Sequence, residues 1–463
     1  MLRRGKGKVV VGILALIIAG APATASAGAR IVKDINAGAS SMPGELARFG
    51  HIALFAANDG THGNELWRSN GTEAGTRLVK DLYLPAFPGS SADPYDVTQV
   101  GKRFFFAAEY ETNQWEIYVS RGTAATTRLV KEINPLHFTF SAPSELTNFR
   151  GTLIFAADDG THGTELWRSD GTAAGTKMVK DINPNPGASS TPSELVVVGK
   201  TLYFYADDGT HGAELWKSNG HRRGTRLVRD VHPGSDGASP YFLTKFDGQL
   251  FLSLNDGARG DELWKSDGTR RGTRLVADIN RGPTGSAPYD LTAVGRELYF
   301  NAGDGTHGNE LWRSNGRKRG TQLVKDINRG SGDGIINGEL IAFDHKLFFD
   351  AKDASHGVEL WRTDGTKRRT RLLKDIHRGT EDSSPESLTG VGGALVFWAD
   401  DGSRGTELWR TNGTSRGTRL AANINPGPSG STGYHRELVN VGGTLFFAAN
   451  DGTHGDELWK FVP

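Results

Sequence analysis

Apolar positions in this chain come in short runs of five to seven residues, each followed by a polar break that carries Gly with Asp or Asn. The stretch from Asp290 to Asn328 shows the pattern in full. Asp290–Val294 and Glu297–Ala302 flank a Gly-containing turn, Glu310–Ser314 follows "DGTHGN", and Thr321–Ile327 follows "NGRKRG". The runs are rich in β-branched and aromatic residues. The breaks hold the residues that tight hairpins need, because Gly supplies positive φ and Asp and Asn bond to nearby backbone. Four antiparallel strands are therefore predicted for this stretch, and the lack of a 3.6-residue apolar period excludes a helical array.

The same unit fills the chain. Aligned on one glutamate, it recurs at Glu65, Glu116, Glu165, Glu214, Glu262, Glu310, Glu359, Glu407 and Glu457, at spacings of 48 to 51 residues. Four short antiparallel strands in ~48 residues is the size of one β-propeller blade. The chain after its leader begins with "RIVKDIN", a fourth strand without its first three, and ends with "NDGTHGDELWKFVP", a third strand without its fourth. The two fragments complement each other. Docking the N-terminal strand beside the last "ELW" closes a ring and removes an exposed sheet edge. The prediction is an all-β fold, a single propeller of nine four-stranded blades over residues 28–463, with eight blades and one displaced irregular unit as the alternative.

Within "ELWRS", strand alternation puts Glu, Trp and Ser on one face and Leu with Arg or Lys on the other. Blades pack against both neighbours, so both faces need apolar mass. Trp67, Trp167, Trp216, Trp264, Trp312, Trp361, Trp409 and Trp459 are read as wedges between blades, with Tyr118 in this place in unit two. His62, His162, His211, His307, His356 and His454 recur at one turn. A metal site needs three or four ligands within a few ångströms, and copies a blade apart are far around a ring, so these are read as turn residues. No metal and no cofactor is expected.

Composition adds compartment and class. The 463 residues include 62 Gly and no Cys, with 37% hydrophobic residues and a formal net charge of +1. Arg3, Arg4, Lys6 and Lys8 precede an apolar run from Val9 to Ala21, and Ala25, Ser26 and Ala27 follow it. This reads as a secretory signal peptide, residues 1–27, cut after Ala27. The alternative is an uncleaved anchor, for which the run is short against the ~20 residues of a spanning helix. The expected product is a secreted or extracytoplasmic monomer without a membrane span.

The recurring phrase "ELWRSDGTAAGTKMVKDINP" resembles the bacterial ELWxxDGT repeat family. The resemblance covers all nine units, eight of which carry "ELW". It implies an exported repeat protein shaped like a propeller and brings no catalytic residues. Unit two departs from the pattern, reading "EYETNQWEIYVSRGTAATT".

What all units share is scaffold, and function is sought where one unit breaks the rule. Two regions do so. On the face carrying the second-to-third loops, here called the top, unit two replaces "DGTHG" with a segment containing Tyr110, Asn113, Gln114 and Trp115; adjacent long loops add Tyr83, Phe87, Tyr95, Phe138 and Phe140. Solvent-exposed aromatic side chains beside Asn and Gln, as expected here, suit a flat sugar ring or a protein partner; the alternative is local repacking. Tyr241, Tyr289 and Tyr434 extend the possible rim. On the bottom, the third-to-fourth hairpin tips of units four to eight carry Arg222, Arg223, Arg270, Arg271, Arg317, Lys318, Arg319, Lys367, Arg368, Arg369 and Arg416, whereas units one to three read "EAG", "AAT" and "AAG". A crescent of one sign attracts polyanions; the alternative is tips kept soluble by Arg.

No Gly-x-Ser-x-Gly elbow, His-Glu-x-x-His or P-loop is present, and no unique carboxylate pair stands out. The sequence therefore favours a non-catalytic binding or surface scaffold. Its expected partners are acidic polysaccharide, a cell-surface glycan or a protein, and no module for specific nucleic-acid recognition is recognised. The alternative is a polysaccharide-active hydrolase or lyase, marked by carboxylates converging on the channel mouth.

Overall fold

The structure, a computed structural model, describes residues 28–83, 89–111, 114–136 and 140–463, without the side chains of Tyr110 and Glu111. The leader, Phe87, Asn113 and Phe138 lie outside the described residues, as does the side chain of Tyr110.

The described residues form nine four-stranded antiparallel sheets, and in eight of them the strands follow chain order. In blade six the strands are Tyr289–Val294, Glu297–Gly303, Asn309–Ser314 and Gln322–Lys325. They match the apolar runs except at the end of the fourth. That strand stops at Lys325, because the backbone amides of Ile327 and Asn328 leave the ladder and bond to the Glu310 carboxylate. Neighbouring blades meet through their first strands, which therefore ring a central channel.

The ninth sheet is composite. Gly28–Lys33 pairs antiparallel with Asp456–Val462, from Gly28 opposite Val462 to Lys33 opposite Leu458. The chain thus closes its own ring with the N-terminal strand, and nine is the blade number.

At the interfaces between blades the Leu of one "ELW", or Ile117 in unit two, packs against the Trp of the next, or Tyr118 in unit two. Trp167 shares an apolar cluster with Phe105, Ile117 and Val130 of the preceding blade, while Leu166 lies with Phe204 and Trp216 toward the following one. A cation completes the contact: Lys180 Nζ stands 4.9 Å from the Trp216 ring centroid and donates to the Thr225 carbonyl at 3.3 Å. The same reach recurs from Lys33 to Trp67 and Thr76, and from Lys325 to Trp361 and Thr370.

The glutamate is the latch. Glu165 Oε2 accepts from the Ile182 amide and the Ser190 hydroxyl, and Oε1 from the Asn183 and Ser190 amides, at 2.7 to 3.2 Å. Ile182 and Asn183 end its own blade and Ser190 precedes the next, so one buried carboxylate fixes the crossover. Glu457 makes the same four bonds across the closure, to Ile35, Asn36 and both donors of Ser41. Burial pushes all nine of these glutamates above the ordinary carboxylate range against the pull of their backbone donors, to about 8 at Glu65 and about 7 at Glu214 and Glu310. At these three, Ala92, Ala238 and Gly334 stand where the other crossovers have Ser, and one carboxyl oxygen has no protein partner.

Candidate functional site

The recurring histidines are turn residues bound to their own hairpin. His62 Nδ1 lies 2.8 Å from Asp59 Oδ2, and the His62 amide donates to Asp59 Oδ1 at 2.9 Å. Arg259 and Arg404 take the histidine's place against Asp256 and Asp401 in two blades.

The top patch differs from its expected exposure. Tyr83 and Gln114 are buried. Tyr95 is half-buried, and its hydroxyl donates to the Pro143 carbonyl of the next blade at 2.9 Å. Trp115 and Phe140 do come together, edge to face with ring centroids 5.8 Å apart, and Phe140 is exposed. Tyr241 and Tyr434 are exposed at the starts of other blades, whereas the Tyr289 hydroxyl accepts from Asn309 at 3.0 Å.

All eleven crescent residues are exposed, on hairpin tips that in blades four, six and seven tighten into single 3-10 turns. Arg369 is paired with Asp364 at 3.1 Å. The tips stand over a second set of cations that sequence reasoning missed. Where the third and fourth strands pair, Lys217 lies opposite Arg226, Lys265 opposite Arg274, Arg362 opposite Arg371 and Arg410 opposite Arg419. Arg68 with Arg77 and Arg168 with Lys177 repeat this in blades one and three. Like charges directly opposite across a ladder destabilise it. Desolvation and then the facing Arg hold Lys217, Lys265 and Arg362 below their ordinary range. The signal was in the sequence, a basic residue directly after Trp and another opening the fourth strand, but only register reveals that they face each other.

A second missed set lines the channel. Glu45, Asp96, Glu145, Glu194 and Asp290 each occupy the second position of a first strand with positive φ, at a bulge. Several reach the next blade: Leu146 donates to Asp96 at 2.8 Å and Leu243 to Glu194 at 2.7 Å, and from the equivalent place Glu339 receives Leu388 at 2.7 Å. Phe242 interrupts the series and, with Glu194, Asp290 and Glu339, lines a cavity of 350 Å³. Burial lifts Asp290 to about 6 and Glu339 to about 7. These carboxylates mainly join blades; they recur with the repeat rather than marking one unit. Among the described residues no group of three or more His, Asp or Glu side chains is placed to hold a metal ion, and no helix is long and apolar enough to cross a membrane.

No protein-family model matches the chain, and no curated protein matches it by sequence. Solved structures resemble it at low identity and low TM-score. A puromycin hydrolase S511A mutant complexed with PGG is 13% identical with a TM-score of 0.41, over 80% of this chain and 62% of that one. A prolyl endopeptidase is 13% identical with a TM-score of 0.44, over 81% and 55%. Prolyl oligopeptidase B from Galerina marginata is 16% identical with a TM-score of 0.40, over 83% and 54%. The chain thus spans little more than half the length of these proteins.

Proposed function

We propose that this chain is an exported, non-catalytic scaffold whose lower face binds acidic polysaccharide, such as a cell-surface glycan. The carrying observation is the exposed, one-sided run of cations on the tips of blades four to eight, standing over basic pairs that the fold tolerates at a cost. Asp267 and Asp364 offset part of that charge within their own turns, leaving a strong excess. Each exposed pairing with a ligand charge is worth only ~0–1 kcal/mol, so affinity comes from many tips acting on one polymer. The leader-like N-terminus and the resemblance to ELWxxDGT repeats support export.

The Trp115–Phe140 pair supports a second mode on the top face, stacking on neutral sugar. The hydrolase or lyase alternative rests on Asp290 and Glu339 in the channel cavity. It is the weaker reading, because Glu339 is already engaged by the Leu388 amide.

A glycan array probed with residues 28–463 at low and high salt tests these readings. Binding to acidic glycans that vanishes with salt is the expected result. Salt-resistant binding to neutral sugars alone contradicts it and moves the site to the top.

A further inference from the structure

The lower face is not uniform. On blade seven, the turn between the first two strands and the tip between the last two enclose a cavity of 490 Å³. Lys346, Arg362, Arg368, Arg369 and Arg371 line it, against the carboxylates of Asp344 and Asp364. Those carboxylates are already engaged: Asp344 holds Lys346 at 3.0 Å and Asp364 holds Arg369 at 3.1 Å. They fix the cavity wall and leave Arg362, Arg368 and Arg371 without an anionic partner.

Arg362 is the telling residue. Several of its counterparts are capped by the next blade: Arg68 donates to the Gly122 carbonyl at 2.9 Å, Lys265 to Gly316 at 3.0 Å, and Lys460 to Gly71, whereas among the described residues Arg313 and Arg410 make no such bond. Among the described residues the Arg362 side chain has no such acceptor and makes no hydrogen bond or ion pair. It sits half-buried directly opposite Arg371. Two guanidinium groups from directly opposed positions, without acceptors among the described residues and lining a cavity with further cations, match an anion whose oxygens are spread in several directions. A guanidinium fork takes two oxygens of such a group at once. A carboxylate, with two oxygens in one plane, satisfies one fork; a tetrahedral oxyanion presents three free oxygens and serves both.

We propose that the blade-seven cavity is a subsite for a sulfate or phosphate monoester borne on a sugar, with Arg362 and Arg371 as its facing ligands and Lys346 and Arg368 at its rim. This rests on the reading that the lower face binds polyanions, and it names the substituent that face selects.

The test uses the full chain from residue 28, with dextran sulfate and polygalacturonate as probes at one fixed low salt concentration. The double variant Arg362→Gln with Arg371→Gln should weaken dextran sulfate binding about tenfold or more while changing polygalacturonate binding by less than about threefold. A control, Lys318→Gln with Arg319→Gln, removes the same charge from the neighbouring tip and should lower both affinities alike. At constant ionic strength, inorganic sulfate or inorganic phosphate should displace the polymer from the wild type better than acetate does. The anion that displaces better tells a sulfate ester from a phosphate ester. Because the replaced residues repel each other, the variant should melt no lower than the wild type, so lost binding cannot be put down to unfolding. Equal losses on the two polymers, or unchanged dextran sulfate binding, overturns the subsite and leaves the lower-face reading standing. A wild type that binds neither polymer overturns both.

Discussion

At the residue scale, the fold turns on a buried acid. The latch glutamates have their pKa raised above the ordinary 4.5 by desolvation, to about 7 or 8 in several copies. An acid raised in the folded state contributes stability that is complete below its unfolded pKa and is lost as pH rises through the folded value. The thermal midpoint should therefore fall by several degrees, on the order of 5 °C or more, between about pH 6 and 9; a midpoint that rises over that window contradicts the burial argument. Substitution should separate the copies. At Glu214 one oxygen accepts both amides and the other has no partner, so Glu214→Gln can place its NH2 on the idle side and cost under about 1 kcal/mol. At Glu165 both oxygens accept, and Glu165→Gln forces a donor against a donor, at about 1–3 kcal/mol by chemical denaturation. The tryptophans behave differently. The indole N–H of Trp67, Trp167 and Trp216 is buried without an acceptor, so these rings contribute packing volume and a face for the neighbouring lysine, not a hydrogen bond. Trp167→Phe should then cost less than half of Trp167→Ala, for which about 3–5 kcal/mol is expected.

At the element scale, strands and hairpins were legible because period-two alternation and Asx-Gly turns are local signals. The closing strand was legible too, as two fragments that complete one unit. The latch was not, since Glu165 meets partners 17 to 25 residues away in a crossover whose sequence varies. Exposure of the top patch was misjudged for a related reason. Tyr83 and Gln114 sit in loop-like sequence, yet both are buried, and composition cannot say which side of a loop faces water. The facing basic pairs needed register, which a one-residue slip would reverse. The closure makes its own prediction. Glu457→Ala removes four bonds that span the ends of the chain and should raise hydrogen exchange in Gly28–Lys33 and Asp456–Val462 well before the other blades respond. Uniform loosening of all blades would show that the seam is not a distinct unit.

At the scale of the whole molecule, a net charge of +1 conceals a polar distribution: cations below, carboxylates around the channel, isolated apolar residues above. The repeat supplies nine nearly equivalent positions, and the chain uses five consecutive tips to build one sign of potential across an arc. A polymer that spans several tips gains from all of them, whereas a small anion meets one. The measurement that tests this most directly is the affinity for dextran sulfate as a function of salt, for the wild type and for a variant with Arg222, Arg223, Arg270 and Arg271 replaced by Ala. The wild type should lose about tenfold or more in affinity between about 50 and 200 mM salt, and the variant should bind more weakly with a shallower dependence. Identical slopes and affinities in the two proteins would contradict the account and take the crescent out of the function.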